Sequence, residues 1–133
     1  MLLDFYGKKL GCTGGDLSIL QIGLPKKTVV VDVIAVEDDI PRLSPFLQNR
    51  SIQKIVWDGR LGYSELWHRY DIRLENVLDL QLVYLHDRYD GTQQKSIPLS
   101  GKVSAIREKK LLSSIFLENE LKRDIPTYLF RLN

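Results

Sequence analysis

The chain has 133 residues, of which 44% are apolar and 27% are charged, and its formal net charge is +2. This composition is typical of one compact globular domain and excludes a disordered chain, a collagen-like repeat and a coiled coil. The charge balance is too mild to indicate nucleic-acid binding by itself.

The cysteine content and the apolar runs bear on the compartment. Cys12 is the single cysteine, which excludes an intrachain disulfide and a thiolate zinc site and favours a reducing environment. No apolar run approaches the ~20 residues of a membrane-spanning helix, and the start does not read as a signal peptide. We therefore expect an intracellular protein of the cytoplasm or nucleus, without a membrane partner.

Three closely spaced strands are predicted near the start of the chain. They cover Leu2–Phe5, Leu17–Gly23 and Thr28–Val33. A glycine-rich turn at residues 11–15 separates the first two, and Pro25 ends the second. Parallel strands need long crossover connections, so strands this close in sequence should be antiparallel neighbours.

Helices and strands then alternate. We predict a short helix over Pro41–Leu47, a fourth strand over Ser51–Trp57, an amphipathic helix over Gly62–Tyr70 and a fifth strand leading into a helix over Asn76–Leu85. An exposed loop follows at residues 86–95, and a helix over 103–122 should end before Pro126. This order predicts an α/β domain with a mixed sheet and flanking helices.

One acidic residue lies inside the first apolar strand. A carboxylate at Asp4 is costly there unless it is paired or bound to a metal. In metal-dependent phosphodiester hydrolysis, carboxylates from neighbouring elements hold two divalent ions about 4 Å apart. Asp4 is therefore either a site residue or an acid at a strand end that reaches solvent.

A series of short blocks follows one another over residues 1 to 88. The blocks are Asp4-Phe5-Tyr6-Gly7-Lys8-Lys9-Leu10-Gly11, Leu17-Ser18-Ile19-Leu20-Gln21-Ile22, Val31-Asp32-Val33, Ile55-Val56-Trp57-Asp58-Gly59-Arg60, Ser64-Glu65-Leu66 and Asn76-Val77-Leu78-Asp79-Leu80-Gln81-Leu82. In this order and spacing they resemble the 3'-5' exonuclease domains of the ribonuclease D-like, DEDD type. We expect one such domain over residues 1–133, with the resemblance clear over 1–88 and a divergent loop and helical tail over 89–133.

The resemblance implies a ribonuclease H-like fold with a mixed five-stranded sheet in the order 3-2-1-4-5. Strands one and four then lie side by side, which brings the family's first motif, Asp-x-Glu on strand one, against the Asp of its second motif. The family's last helix has no visible match, so a C-terminally truncated gene product is one alternative. Apolar surface left open there would favour a homodimer or a protein partner through the C-terminal region.

The metal-ligand positions depart from the family pattern. The Asp of the first motif falls on Asp4, its Glu falls on Tyr6, and the Asp of the second motif falls on Gly62. A phenol is a poor ligand for a hard cation such as Mg²⁺, and glycine offers no side-chain ligand. The third motif is Tyr or His followed four residues later by Asp, and it should lie on the last helix. His86 and Asp90 have this spacing but come too early, just after strand five, and Tyr128 is followed by Leu132.

Only Asp4 remains of the expected carboxylates, so we predict a catalytically impaired domain. The cofactor implied for an active domain is Mg²⁺ or Mn²⁺, held at Asp4, and none is expected for an impaired one. In the active alternative, Asp58 or Glu65 substitutes for the missing ligands. Against that alternative, the family carries an acid at Asp58 without using it as a ligand, and Glu65 fits a solvated helix residue.

A groove for nucleic acid would survive loss of the metals. The cations expected near its mouth, where phosphates bind, are Lys8, Lys9 and Arg60. The rings expected to stack on unpaired bases are Tyr6, Trp57 and Tyr63. The resemblance thus implies single-stranded RNA or DNA as a partner, and it also permits a role as a protein-interaction scaffold. The alternative is that Trp57 and Tyr63 belong to the core and that the lysines are only solvated.

Overall fold

The computed structural model describes residues 1–88 and a strand at 127–130. The strands are β1 (Leu2–Lys8), β2 (Asp16–Leu24), β3 (Lys27–Asp32), β4 (Lys54–Val56), β5 (Val77–Asp79) and β6 (Thr127–Phe130). The helices are a 3-10 helix (Glu37–Leu43), α1 (Ser44–Leu47), α2 (Arg60–Tyr70) and α3 (Leu80–Arg88).

These strands form one mixed sheet in the order β5-β4-β1-β2-β3-β6. The first five have the predicted order 3-2-1-4-5, which is confirmed. The antiparallel pairing of β1, β2 and β3 is also confirmed, and β4 runs parallel to both β1 and β5. The sequence did not predict β6, which pairs parallel with β3.

The core lies on one face of the sheet. Its buried members from the first three strands include Leu3, Leu20, Ile22 and Val31. Helix α2 covers this face with the fully buried Leu66. Because side chains alternate along a strand, Asp4 and Tyr6 lie on the opposite face of β1.

A β-bulge between Tyr6 and Gly7 shapes the end of β1. A Cβ atom at Gly7 would lie 2.0 Å from the carbonyl oxygen of Asp16, so only glycine fits there. The strand continues through the bulge to Lys8, past its predicted end, and pairs Lys8 with Asp16.

Three predicted elements differ from the structure. Strand β4 covers Lys54–Val56 rather than the whole of Ser51–Trp57, because β1 and β5 offer partners only within that range. The predicted helix over Pro41–Leu47 is divided into the 3-10 helix and α1. Each of these contains a proline, which lacks the N–H that a continuous α-helix uses. His86 lies in α3 and not in a loop.

The rest of the predicted loop at 89–95 and the helix over 103–122 lie outside the described residues. The C-terminal dimer surface and the truncation alternative concern the same part of the chain. None of the described helices is long and apolar enough to cross a membrane.

Candidate functional site

Asp4 and Tyr6 are two residues apart on β1 and face the same side of the sheet. The phenolic hydroxyl of Tyr6 donates a hydrogen bond of 2.8 Å to Oδ2 of Asp4. Burial, the hydrogen bond to Asp4 and the charge of that carboxylate together raise the pKa of Tyr6. The pair is therefore a carboxylate and a neutral phenol at the two positions where the resemblance implies two carboxylates.

Gly62 lies in the first turn of α2, directly against β1. It is buried, and a Cβ atom built on it would lie 2.2 Å from Cγ of Phe5 and 2.4 Å from Cδ2 of that ring. Real Cβ atoms do not approach other atoms this closely. The Phe5 ring thus occupies the space that the second motif's carboxylate side chain would need.

The residues present do not fit the two-metal centre that the resemblance implies. One ligand position carries a phenol whose proton is held by Asp4, and the other carries a glycine covered by Phe5. Within residues 1–88 and 127–130, no three His, Cys, Asp or Glu side chains are grouped so that they could hold a metal ion.

The two predicted substitute ligands have structural partners. Asp58 accepts hydrogen bonds from Nε and Nη2 of Arg60 at 2.6 and 3.1 Å, a bidentate ion pair. Glu65 is buried in α2, and its Oε1 accepts a hydrogen bond of 2.8 Å from the backbone N–H of Gly11. The interpretation of Glu65 as a solvated helix residue is therefore wrong, because α2 turns it toward the glycine-rich turn.

Asp79, at the end of β5, holds the loop between β4 and α2. Its Oδ1 accepts the backbone N–H of Asp58 at 3.0 Å and that of Gln81 at 2.9 Å, and its Oδ2 accepts that of Gly59 at 3.1 Å. The sequence analysis assigned no role to this residue. A sequence signal for Asp79 did exist. It is an acid at the carboxyl end of a strand parallel to β4, and the carboxyl ends of parallel strands meet at one edge of a sheet.

The six residues predicted to bind nucleic acid divide into an accessible group and a group that makes contacts within the fold. The accessible group is Tyr6, Lys8 and Lys9, and the second group is Trp57, Tyr63 and Arg60. Lys8 and Lys9 are exposed, and Tyr6 exposes 47% of its surface. Trp57 is half-buried beside Tyr84, with ring centroids 6.1 Å apart.

Tyr63 and Arg60 also belong to the group that makes contacts within the fold. Tyr63 packs against the core and meets Trp67 edge-on with centroids 5.6 Å apart. The guanidinium of Arg60 is engaged by Asp58. The role of all six residues in binding stays a prediction, with Tyr6, Lys8 and Lys9 the most accessible of them.

A cleft of about 450 Å³ lies between the glycine-rich turn and α2. Its walls are residues 11–15 of the turn and Ser64, Glu65, His68 and Arg69 of the helix. The guanidinium of Arg69 is bonded to the carboxylates of Asp16 and Glu37, so its charge is already neutralised. The structure thus joins Cys12 and His68 in one polar cleft, although no sequence spacing connected them.

Comparisons with solved structures show the fold of the chain. It is similar to the Aedes aegypti Nibbler EXO domain with a TM-score of 0.60 and 17% identity, covering 93% of this chain and 66% of that one. It is similar to Brucella melitensis NrnC with a TM-score of 0.54 and 18% identity, covering 91% and 75%. A third similar structure is Trypanosoma brucei RNase D in complex with RNA U12, with a TM-score of 0.52 and 24% identity.

The chain spans only 30% of the length of that RNase D chain, and the match covers 63% of this chain. No protein-family model matches the sequence, and the curated proteins gave no match either. At these identities the comparisons establish the fold, and the predicted ribonuclease H-like fold is confirmed.

Proposed function

From the exonuclease-domain fold as premise, we propose that this chain binds single-stranded RNA or DNA without a metal ion and is catalytically impaired. The observation that carries the proposal is the Phe5 ring against Gly62, which leaves no room for a side chain at the position where the resemblance implies a metal-binding carboxylate. The phenol of Tyr6 at the neighbouring ligand position supports it. Such a domain has lost the metal chemistry but keeps the surface beside it.

The accessible residues next to Asp4 suit this role. Lys8 and Lys9 offer two ammonium groups to phosphates, and the exposed ring of Tyr6 offers a face to an unpaired base. The similar Trypanosoma brucei RNase D was solved with bound RNA, which supports nucleic acid as the ligand class for this fold. We propose these three residues as the primary contact surface.

The test combines binding and cleavage in one assay. The wild-type chain and Asp4→Ala are incubated with 5'-labelled single-stranded RNA and DNA in Mg²⁺, Mn²⁺ or EDTA. Products are resolved on denaturing gels and complexes on native gels. We expect a shifted complex of equal strength under all three conditions, with no shortening of the label.

A matched pair of charge variants locates the surface. Lys8→Gln/Lys9→Asn removes two positive charges, and Asn tolerates the left-handed backbone at position 9, where φ is 50°. Lys26→Gln/Lys27→Gln removes the same charge at the β2–β3 turn. We expect only the first variant to weaken the complex.

Two results would contradict the proposal. Stepwise shortening that needs a metal and disappears in Asp4→Ala would establish an active exonuclease with nonstandard ligands. A chain that neither cleaves nor shifts the label would leave a protein-binding scaffold as the function of the domain.

A further inference from the structure

Four side chains at the outer side of α2 and just beyond its end form a continuous array of planar groups. Trp67 lies at its centre, with the Tyr63 ring edge-on at 5.6 Å and the His68 ring nearly parallel at 5.8 Å between centroids. The guanidinium carbon of Arg73 lies 4.8 Å from the centroid of the Trp67 ring. We call these four residues the α2 shelf.

The end of α2 positions the cation over the ring. Asp71 adopts a left-handed conformation with φ of 52°, and its N–H bonds to the carbonyl oxygen of Trp67. The chain therefore reverses, and the N–H of Arg73 bonds to Oε1 of Gln48 at 3.0 Å. These backbone hydrogen bonds fix the main chain at Arg73 close to Trp67.

The shelf is open and carries an unneutralised charge. Trp67 exposes 38% of its surface, and His68 and Arg73 are exposed. Among the described residues, no carboxylate lies within ion-pair distance of the Arg73 guanidinium, whereas Arg69, four positions earlier, bonds to two. An apolar protein surface docked here would desolvate that charge at a cost, while a phosphate would neutralise it.

We infer that the α2 shelf is a second contact for single-stranded nucleic acid, with an unpaired base stacked on the rings and Arg73 on an adjacent phosphate. Base stacking on aromatic side chains and cation–π contacts are the interactions by which proteins hold unpaired strands. This inference rests on the proposed function and extends it to residues that the sequence analysis did not select.

The cleft connects the shelf to the primary surface. His68 belongs to both the shelf and the cleft wall, and residues 11–15 on the opposite wall begin two positions after Lys9. A single-stranded nucleic acid that leaves the shelf past His68 therefore runs toward Lys8 and Lys9.

Tryptophan fluorescence tests the shelf, because the chain has only Trp57 and Trp67. Single-tryptophan proteins, Trp57→Phe and Trp67→Phe, are titrated with unlabelled oligo-U and oligo-dT. We expect the emission of Trp67 to be quenched by both oligonucleotides. In anisotropy titrations, Trp67→Ala should weaken binding roughly tenfold, the usual scale for one stacked base.

Arg73→Gln should also weaken binding and reduce the slope of log K against log salt by about 0.7, the value for one phosphate contact to a single strand. The matched control is Arg50→Gln, which removes an exposed arginine that is already paired with Glu75. Arg50→Gln should change neither the binding affinity nor the salt dependence of binding. Circular dichroism of each variant verifies folding, and Arg73→Gln keeps the test valid if Trp67→Ala does not fold.

The outcomes separate the shelf from the proposed function. Binding with unchanged Trp67 emission, and with full affinity in Arg73→Gln, would overturn the shelf and leave the primary surface intact. Absence of binding by the wild-type chain would overturn both. A dimer in light scattering that Arg73→Gln or Trp67→Ala dissociates would identify a second copy of the chain as the occupant, which also contradicts the inference.

Discussion

The backbone N–H of Gly11 donates a hydrogen bond of 2.8 Å to the buried carboxylate of Glu65, across 54 positions of sequence. This bond fastens the glycine-rich turn after β1 to the middle of α2. It fixes one wall of the cleft relative to the other. It also gives a structural reason for an acid that sequence reasoning offered as a substitute metal ligand.

Removing the Glu65 carboxylate should destabilise the fold without any effect that depends on a metal. We expect Glu65→Ala to lower the free energy of unfolding by about 1–3 kcal/mol, because a part-buried N–H loses its acceptor. Glu65→Gln keeps an acceptor oxygen and should cost less. Urea unfolding with and without Mn²⁺ measures both. A loss of stability that appears only with Mn²⁺ would contradict this role for Glu65.

Gly62 should tolerate a larger side chain only when Phe5 is reduced. We expect Gly62→Ala to destabilise the wild-type chain strongly, because its Cβ would enter the Phe5 ring. In a Phe5→Ala background the same change should cost much less, giving a coupling energy above about 1 kcal/mol. A double-mutant cycle in urea measures it, and additive costs would count against the contact.

The same contact bears on repairing the ligand set. Tyr6→Glu/Gly62→Asp restores two ligand positions but leaves Phe5 in place. We expect this variant to unfold more easily than the wild type and to bind no Mn²⁺ in calorimetric titration. Adding Phe5→Ala should recover stability relative to the double variant. A stable double variant that binds Mn²⁺ would show that the ring moves aside.

Tyr6 should ionise above the ordinary tyrosine pKa of 10.0 because of burial and its bond to Asp4. The folded chain then keeps the phenolic proton where the unfolded chain loses it. The stabilisation from Tyr6 is complete below pH ~10 and is lost as pH rises through the folded-state pKa. Tyrosinate absorbance of the wild type minus Tyr6→Phe measures the pKa, and Asp4→Asn should lower it. Ionisation of Tyr6 at or below the ordinary value would contradict the hydrogen bond.

Asp79→Asn should loosen the loop between β4 and α2. Both carboxylate oxygens accept backbone N–H groups, and the amide nitrogen of Asn would face one of them as a second donor. We expect a loss of about 1–3 kcal/mol in stability and faster amide exchange at Asp58 and Gly59. Asp38→Asn on the exposed 3-10 helix is the control. Unchanged exchange at both amides would exclude this clamp.

Sequence reasoning predicted the arrangement of the sheet well. The short connections between three apolar runs predicted the antiparallel β1 to β3, and the resemblance supplied the place of β4 beside β1. Strand β4 was predicted too long because its ends depend on partners elsewhere in the chain. The sixth strand, at the far edge of β3, carried no comparable signal in the sequence.

The candidate site was predicted less completely. Counting along the second motif assigned Gly62 to a ligand position, but it could not show that the Phe5 ring lies against this glycine. Whether Phe5 reaches Gly62 depends on how closely α2 docks against β1. The partners of Asp58 and Glu65 depend on the rotation of α2 and on the loop before it, which a linear pattern does not record.

The ring of Phe5 over Gly62 also restricts the evolutionary paths open to this chain. A change to Asp at position 62 alone would push its side chain into the Phe5 ring. A change to a smaller residue at position 5 alone would leave a cavity in the core. Each of these single substitutions is therefore expected to lower stability by itself. Residues 5 and 62 are therefore expected to change together rather than one at a time.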